Sequence, residues 1–376
     1  MFNAQEIITS LAKKADIEIN GNRPWDIQVH DSKTYRRVLS QGTLGLGGAY
    51  MDGWWDCEQI DEMVYRALHA DLREHFKLTP VVMLTFLRAY VFNLGRRSRA
   101  YQVGERHYDT GNDLYSRMLD KRLTYTCAYW KSPASDYHMT LDEAQEAKLD
   151  LVCKKIGLKA GDKVLDIGCG WGSFAGFAAE RYGAQVTGIT ISKQQFTYAQ
   201  QRYAHMPIEF RLQDYREVDG QFDHIISLGM FEHVGVKNYK SYFDVVRRCL
   251  KDDGIFLLQT IGSNQSVHGT DPWIGTYIFP NSMLPSAKQI TTAIEKKFII
   301  EDWHSFGHYY DKTLMAWHSR FESAWQDLCA SYDERFHRMW RYYLLSCAGL
   351  FRAHEAQLWQ IVLSKHGVSG GYEPVR

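Results

Sequence analysis

From about Leu158 onward the apolar positions fall into short runs separated by stretches of helical period. Lys163-Val-Leu-Asp-Ile167, Gln185-Val-Thr-Gly-Ile-Thr-Ile191, Ile208–Leu212, Phe222–Ser227 and Gly254–Thr260 have the length and apolar content of strands. Ser173–Tyr182 reads as a helix, and Lys193–Tyr203 as another with Ser192 as its N-cap. Strands alternating with helices across short loops predict an α/β fold built on a doubly wound, mostly parallel sheet. Beyond Gly262 the pattern is mostly helical and rich in rings, as in Trp317-His-Ser-Arg-Phe321 and Trp340-Arg-Tyr-Tyr343.

The N-terminal residues lack that alternation. Residues 1–75 read as a smaller α+β unit. Leu39-Ser-Gln-Gly-Thr-Leu-Gly-Leu-Gly-Gly-Ala-Tyr50 is rich in glycine. Its spacing matches neither GxGxxG nor a Walker loop, so it reads as turns between short elements. Between Glu74 and Glu105 there is no acidic residue, while Lys77, Arg88, Arg96, Arg97 and Arg99 flank the apolar runs Val81–Leu87 and Ala89–Phe92. A basic, apolar helical segment suits the surface of an anionic membrane; the alternative is a core helix followed by a solvated basic linker.

Composition narrows the class. A chain of 376 residues suggests two domains, or three, at ~100–200 residues each. With 44 basic and 44 acidic side chains it does not have the basic character of a nucleic-acid binder. Eleven Trp and 23 Tyr suit apolar ligands as well as ordinary packing. None of the seven cysteines lies in a CxxC pair, so no metal site and no disulfide framework is expected. Neither a signal peptide nor a transmembrane run is evident, which points to a cytoplasmic setting.

The sharpest chemical signal is Val164-Leu-Asp-Ile-Gly-Cys-Gly-Trp-Gly172. Glycines placed between a strand and a helix let the backbone approach a ligand closely. Asp166 disfavours a phosphate there and suits a ligand with a cationic ammonium group. The segment resembles motif I of the class I (Rossmann-like) S-adenosylmethionine (AdoMet) methyltransferases. The acid that usually ends the second strand is missing, and Thr190 and Gln195 stand ready to hydrogen-bond the ribose. Asp214, after the third strand, is placed to accept from the adenine amino group; the alternative is a plain loop aspartate.

Further motifs extend the resemblance. Tyr125-Thr-Cys-Ala-Tyr-Trp130, Gly229-Met-Phe-Glu-His-Val-Gly235, Asp271-Pro-Trp273, Tyr277-Ile-Phe-Pro280 and Tyr310-Asp-Lys-Thr-Leu-Met-Ala-Trp317 resemble those of the cyclopropane-fatty-acyl-phospholipid synthases, nearly end to end. The resemblance implies transfer of a methyl from AdoMet to a cis double bond of a phospholipid acyl chain. Loss of a proton from the resulting carbocation to bound bicarbonate then closes the ring. It implies a bicarbonate site of Cys127, Glu232, the Ile261 carbonyl and Tyr310, with Gln259 where the family has His. For AdoMet it implies Tyr125, Asp166, Gly168, Gly170, Thr190, Gln195 and Asp214, with the Thr110–Trp130 stretch as a lid. It also implies a homodimer at the inner face of the membrane. The domains are then 1–95 presenting the lipid, 96–110 as linker and 111–376 as the catalytic methyltransferase. Two alternatives stay open: an enzyme making methyl-branched or methylene acyl chains, and a non-catalytic membrane-surface protein.

Overall fold

The computed structural model describes residues 4–70, 111–130 and 138–376. The basic stretch 75–104 and the linker 96–110 lie outside the described residues. Contacts divide the chain into two units. One comprises residues up to 93 with 268–282 and 310–356; the other comprises 94–267, 283–309 and 357–376.

In the first unit, helices α1 (Ala4–Lys14), α2 (Lys33–Gln41), α3 (Thr43–Met51) and α4 (Ile60–His69) accompany a two-stranded antiparallel pair, β1 (Gln28–Val29) and β2 (Trp55–Asp56). The later segments add α10 (Pro272–Tyr277), most of α12 (His308–Leu328) and α13 (Glu334–Arg352). The glycine-rich stretch, expected as turns, is the helix α3. Its glycines serve close packing: a Cβ on Gly47 would meet the Trp273 ring at 2.5 Å, and one on Gly45 would meet the Arg37 carbonyl. The core here is aromatic, with Trp273 4.7 Å from Tyr342 and Tyr50 5.0 Å from Trp55. Arg338 lies 4.0 Å from the Tyr50 ring centroid and donates to Asp56 Oδ1 at 2.6 Å.

The second unit is the predicted sheet with its helices. Helices α5 (Asn112–Met118) and α6 (Leu141–Lys155) precede β3 (Lys163–Ile167). Then follow α7 (Ser173–Tyr182), β4 (Gln185–Thr190), α8 (Lys193–Arg202), β5 (Ile208–Leu212), β6 (Phe222–Leu228), α9 (Tyr239–Cys249) and β7 (Leu250–Ser263). The strand order is β5-β4-β3-β6-β7-β9-β8, completed by α11 (Ala287–Ile294), β8 (Ile299–Ser305) and β9 (Ala356–Ser364). β3–β4, β4–β5, β3–β6 and β6–β7 pair in parallel, and β8 with β9 antiparallel.

Successive strand residues feed opposite layers. Leu165, Ile225, Phe256, Leu258 and Ile361 pack in one cluster; Val164, Ile226, Ile255, Leu257 and Val362 pack in the other. Both faces are therefore covered, which is why these strands read as continuous apolar runs. Strands β8 and β9 were hidden in a region expected to be mostly helical. Gln357–Ser364 is buried on both faces and has no alternation to betray it.

Candidate active site

The chain runs β3→β4→β5 to one side and then returns to place β6 on the other side of β3. Loops leaving β3 and β6 thus part at a crevice, the usual ligand position in a doubly wound sheet.

The glycine loop leaves β3 through residues with positive φ: Gly168 at 83°, Gly170 at 55° and Gly172 at 84°. A Cβ at 168 would lie 2.7 Å from Met230, and one at 172 would lie 2.8 Å from the Phe210 ring. At 170 nothing stands within 4 Å, so that peptide presents bare backbone. Gly168 and Gly172 hold the loop tight, and Gly170 is the point of closest approach for a ligand. Trp171 Nε1 donates to Asn112 Oδ1 at 3.0 Å, and the Trp171, Tyr115 and Tyr125 rings follow one another at 4.8 and 5.2 Å. Residues 111–125 are in this way tied to the loop.

At the end of β4, Thr190 Oγ1 donates to Gln195 Oε1 at 3.0 Å and accepts from Ser192 N at 3.2 Å. Ser192 caps α8 as expected, its hydroxyl accepting from Gln195 N. Asp214 follows β5, is 1% exposed, and accepts from Arg216 N at 2.9 Å and Arg216 Nη1 at 2.8 Å. A carboxylate has four lone-pair sites, so this turn still leaves room for an amino group. Asp166 has a buried Oδ2 with no hydrogen-bond partner among the described residues, and burial pushes its carboxyl up to about 7.

On the β6 side the chain turns at Gly229, whose N–H donates to the Gln259 carbonyl at 2.9 Å. Gly229 has φ 73°, and a Cβ there would lie 2.6 Å from Thr126 Cγ2. The Gly229–Met230 turn is therefore a junction, touching the glycine loop at Gly168 and the Tyr125–Cys127 segment at Thr126. Two residues on comes the short 3-10 turn Phe231–His233. Glu232 Oε1 accepts from the Ile261 N–H at 2.7 Å, two residues beyond the last β6–β7 pair, Leu228 with Gln259. Ile261 thus enters through its N–H, while its carbonyl accepts from Thr260 Oγ1 at 3.1 Å. Burial pushes Glu232 up to about 7, and its Oε2 has no partner among the described residues. Burial also holds His233 down to about 4, so that ring is neutral at physiological pH.

Gln259 is fully buried on β7. Its Oε1 accepts from Gln360 Nε2 at 2.9 Å, and its Nε2 has no partner among the described residues. Cys127 is fully buried, with its thiol 3.3 Å from the Ala128 carbonyl. Tyr310 belongs to the first unit, where it packs on Phe351 at 4.5 Å and Trp317 at 6.0 Å. Sequence reasoning missed Asn112, Tyr115, Gln145, Lys148 and Gln360. Only Gln145 and Lys148 left a signal: polar residues on the inward stripe that Leu141, Ala144 and Val152 define on α6.

The residues present fit AdoMet. Gly170 offers bare backbone, Asp166 an unsatisfied carboxylate for a cationic end, and Thr190, Gln195 and Asp214 polar groups at the ends of β4 and β5. They also fit a small anion that carries a hydroxyl. Gln259 Nε2 is an unspent donor, and a carboxyl that titrates near 7 can donate or accept.

A seven-stranded sheet in this order, with a glycine loop after its first strand, defines a class I AdoMet-dependent methyltransferase. The sequence profile of the mycolic acid cyclopropane synthetase family matches residues 95–361, and the chain belongs to that family. It is 50% identical to the cyclopropane-fatty-acyl-phospholipid synthase of Escherichia coli K12 over 378 aligned residues, which take in 100% of this chain and 96% of that protein. The cyclopropane synthase MmaA2 of Mycobacterium tuberculosis superposes with TM-score 0.66 at 29% identity, covering 73% of this chain and 100% of that one. The mycolic acid cyclopropane synthase CmaA1, solved with SAH and CTAB, gives 0.65 at 31%, covering 70% and 98%.

Proposed function

We propose that this chain cyclopropanates the unsaturated acyl chains of membrane phospholipids. The observation that carries the reading is the buried arrangement at the ends of β6 and β7. Glu232 is fixed by the Ile261 N–H, and Gln259, two residues earlier on β7, keeps a buried amide donor with no partner among the described residues. That arrangement handles a proton without a nucleophile, as methyl addition to an alkene requires.

AdoMet, when bound, would supply an electrophilic methyl group to the acyl double bond, and ring closure would require the loss of one proton. Gly168 and Gly170 shape the backbone that receives the cofactor. Tyr125, Asp166, Thr190, Gln195 and Asp214 hold its polar groups. Cys127, Glu232, Gln259 and Ile261 would hold a bicarbonate ion, which would supply a proton acceptor. Burial matters as much as any single group, because water reaching the cation would quench it. Aromatic faces stabilise positive charge without attacking it.

The reading extends to a peripheral enzyme, acting as a homodimer on the cytoplasmic face of the membrane. What supports the membrane role is the acid-free stretch 75–104 and a substrate that resides in a bilayer. No helix among the described residues is long and apolar enough to cross a membrane.

The test is incubation with AdoMet and vesicles of unsaturated phospholipid, followed by mass spectrometry and proton NMR of the acyl chains. Gain of one methylene with upfield ring protons is the expected result. A methyl-branched or methylene product would assign the related fatty-acyl methyltransferase reaction instead, and no turnover of AdoMet would reject both.

A further inference from the structure

Lys148 has no exposed surface, and neither has Gln145 beside it on the inward stripe of α6. Both grip the same short segment. Gln145 Nε2 donates to the carbonyls of Thr124 at 3.3 Å and Thr126 at 2.8 Å. Lys148 Nζ donates to Thr126 Oγ1 at 2.8 Å. The Ala144 carbonyl accepts from the Tyr129 N–H at 3.0 Å. The segment so held carries Tyr125 and Cys127, and its Thr126 methyl abuts the Gly229 turn that leads to Glu232.

A neutral hydroxyl does not compensate a buried ammonium. The groups whose charge acts on Lys148 are Asp120, Cys127 and Asp166. Asp120 already accepts from Thr124 N at 2.7 Å, Arg122 N at 2.9 Å and Thr124 Oγ1 at 3.2 Å, bonds that fold the loop before Tyr125. Asp166 lacks such donors at Oδ2, and Lys148 is the one cation found to act on it among the described residues. The neighbouring Cys169 thiol, on the glycine loop, feels Asp166 only as a repulsive charge. Asp166 lies on the face of β3 that α6 covers, since Val164 packs in the same cluster as Leu149 and Val152.

We propose that Lys148 is a positioning residue for the cofactor site: its ammonium keeps Asp166 ionised beneath the glycine loop and, through Thr126, seats the Tyr125–Cys127 segment against that loop. The inference rests on the reading that Asp166 serves the cationic end of AdoMet. Burial pushes Asp166 up and pulls Lys148 down to about 8; the Lys148 ammonium opposes the first shift, and Asp120, with Asp166 behind it, opposes the second. Without the ammonium, Asp166 takes up a proton at a higher pH, and a neutral acid no longer attracts a cation.

The experiment uses the full chain and measures AdoMet affinity by calorimetry from about pH 5.5 to about pH 8.5, together with thermal melts. The proteins are the unaltered chain, Lys148→Met, Asp166→Asn and the double variant. In Lys148→Met the midpoint of the pH dependence should rise by about one unit, which is about tenfold in affinity between the two midpoints. Asp166→Asn should bind weakly and with no pH dependence. The double variant should melt above Lys148→Met, because no lone buried carboxylate remains. If Asp166→Asn binds AdoMet as tightly as the unaltered chain, the reading of Asp166 fails and the inference with it. If Asp166→Asn weakens binding but Lys148→Met leaves the midpoint in place, the role of Lys148 alone is overturned. Should Lys148→Met fail to fold, the double variant decides: recovered folding supports the pairing, and no recovery refutes it.

Discussion

Gln360 Nε2 donates to Gln259 Oε1 across 2.9 Å, and neither side chain is exposed. The bond orients an amide. With its oxygen held by Gln360, Gln259 turns its nitrogen, a donor of two hydrogens, to the other side. The Glu232 carboxyl is fixed by the Ile261 N–H, two residues along the same strand. If the proposed anion binds there, it meets an uncharged donor where the family resemblance implies a histidine. Its grip should be that of a neutral hydrogen bond, worth about 0.5–1.5 kcal/mol net, against about 1.5–3 kcal/mol from a charged donor.

Gln259→His should therefore lower the bicarbonate concentration needed for half-maximal rate by several-fold. While the ring is neutral, one nitrogen can accept from Gln360 and the other presents its N–H to the anion; once it is charged both nitrogens donate, and Gln360 must turn its amide oxygen toward the ring. The gain should grow toward acid pH as the imidazole charges, with a midpoint below the usual ~6.5 because the position is buried. Initial rates against bicarbonate, in depleted enzyme at several pH values, check this. A variant indistinguishable from the unaltered chain would remove Gln259 from the anion site.

Glu232→Gln should reduce kcat by about 10²-fold or more and leave AdoMet affinity within a few-fold, as expected for a group used in the proton transfer. The same substitution should alter the pH dependence of folding. Burial raises the carboxyl from its ordinary 4.5 to about 7. A raised carboxylate stabilises the fold below its unfolded value and loses that contribution as pH climbs through the folded one. Above about pH 7 the amide variant should hence gain up to roughly 3 kcal/mol on the native chain, while below about pH 4.5 the two should coincide. Denaturant melts at both pH values measure the difference.

The basic stretch yields a prediction from charge alone. Replacing Arg96, Arg97 and Arg99 by Glu should weaken binding to anionic vesicles by at least tenfold. Each basic side chain near such a surface contributes about 1 kcal/mol, and salt screens it. Truncation is the wrong test, because residues up to 93 share a unit with 268–282 and 310–356 and removing them would leave those segments unpacked. Sedimentation with vesicles at low and high salt decides. Equal binding by both proteins, insensitive to salt, would take the stretch out of membrane contact.

What the chain disclosed depended on where its information is local. Strands β3 to β6 and helices α7 and α8 were legible because each is a short apolar or amphipathic run bounded by glycine or a cap. The cofactor loop was legible because its glycines obey a local steric rule. Strand β9 was not, since 356–364 is buried on both faces and looks like any apolar run, helical or extended; β8 was not, since 299–305 is mostly exposed or half-buried and shows no apolar run beyond Ile299-Ile300. The α3 glycines misled for a related reason. They signal close approach as readily as a turn, and Trp273, more than 200 positions away, decides which. At the site, Glu232 stood out by its motif, whereas Gln360 acts only through Gln259, a relation that exists once β7 and β9 share a sheet.

The glycine loop offers a last separation, between glycines that shape the fold and one that admits the cofactor. Gly172 and Gly170 both have positive φ, at 84° and 55°, so alanine is strained at each by about 1–2 kcal/mol. Their surroundings differ. At 172 the new methyl would lie 2.8 Å from Phe210 and 2.9 Å from Tyr203, rings that are buried and cannot swing aside; at 170 it would meet nothing within 4 Å. Gly172→Ala should therefore carry a further about 1–3 kcal/mol of overpacking and lower the melting temperature markedly. Gly170→Ala should melt within a few degrees of the native chain yet bind AdoMet at least tenfold more weakly, because its methyl occupies the space the ligand needs. Paired melts and calorimetric titrations of the two variants give the answer. If Gly170→Ala keeps native affinity, the cofactor does not approach the loop at that peptide, and its place would have to be sought along Gly168 and the ends of β4 and β5.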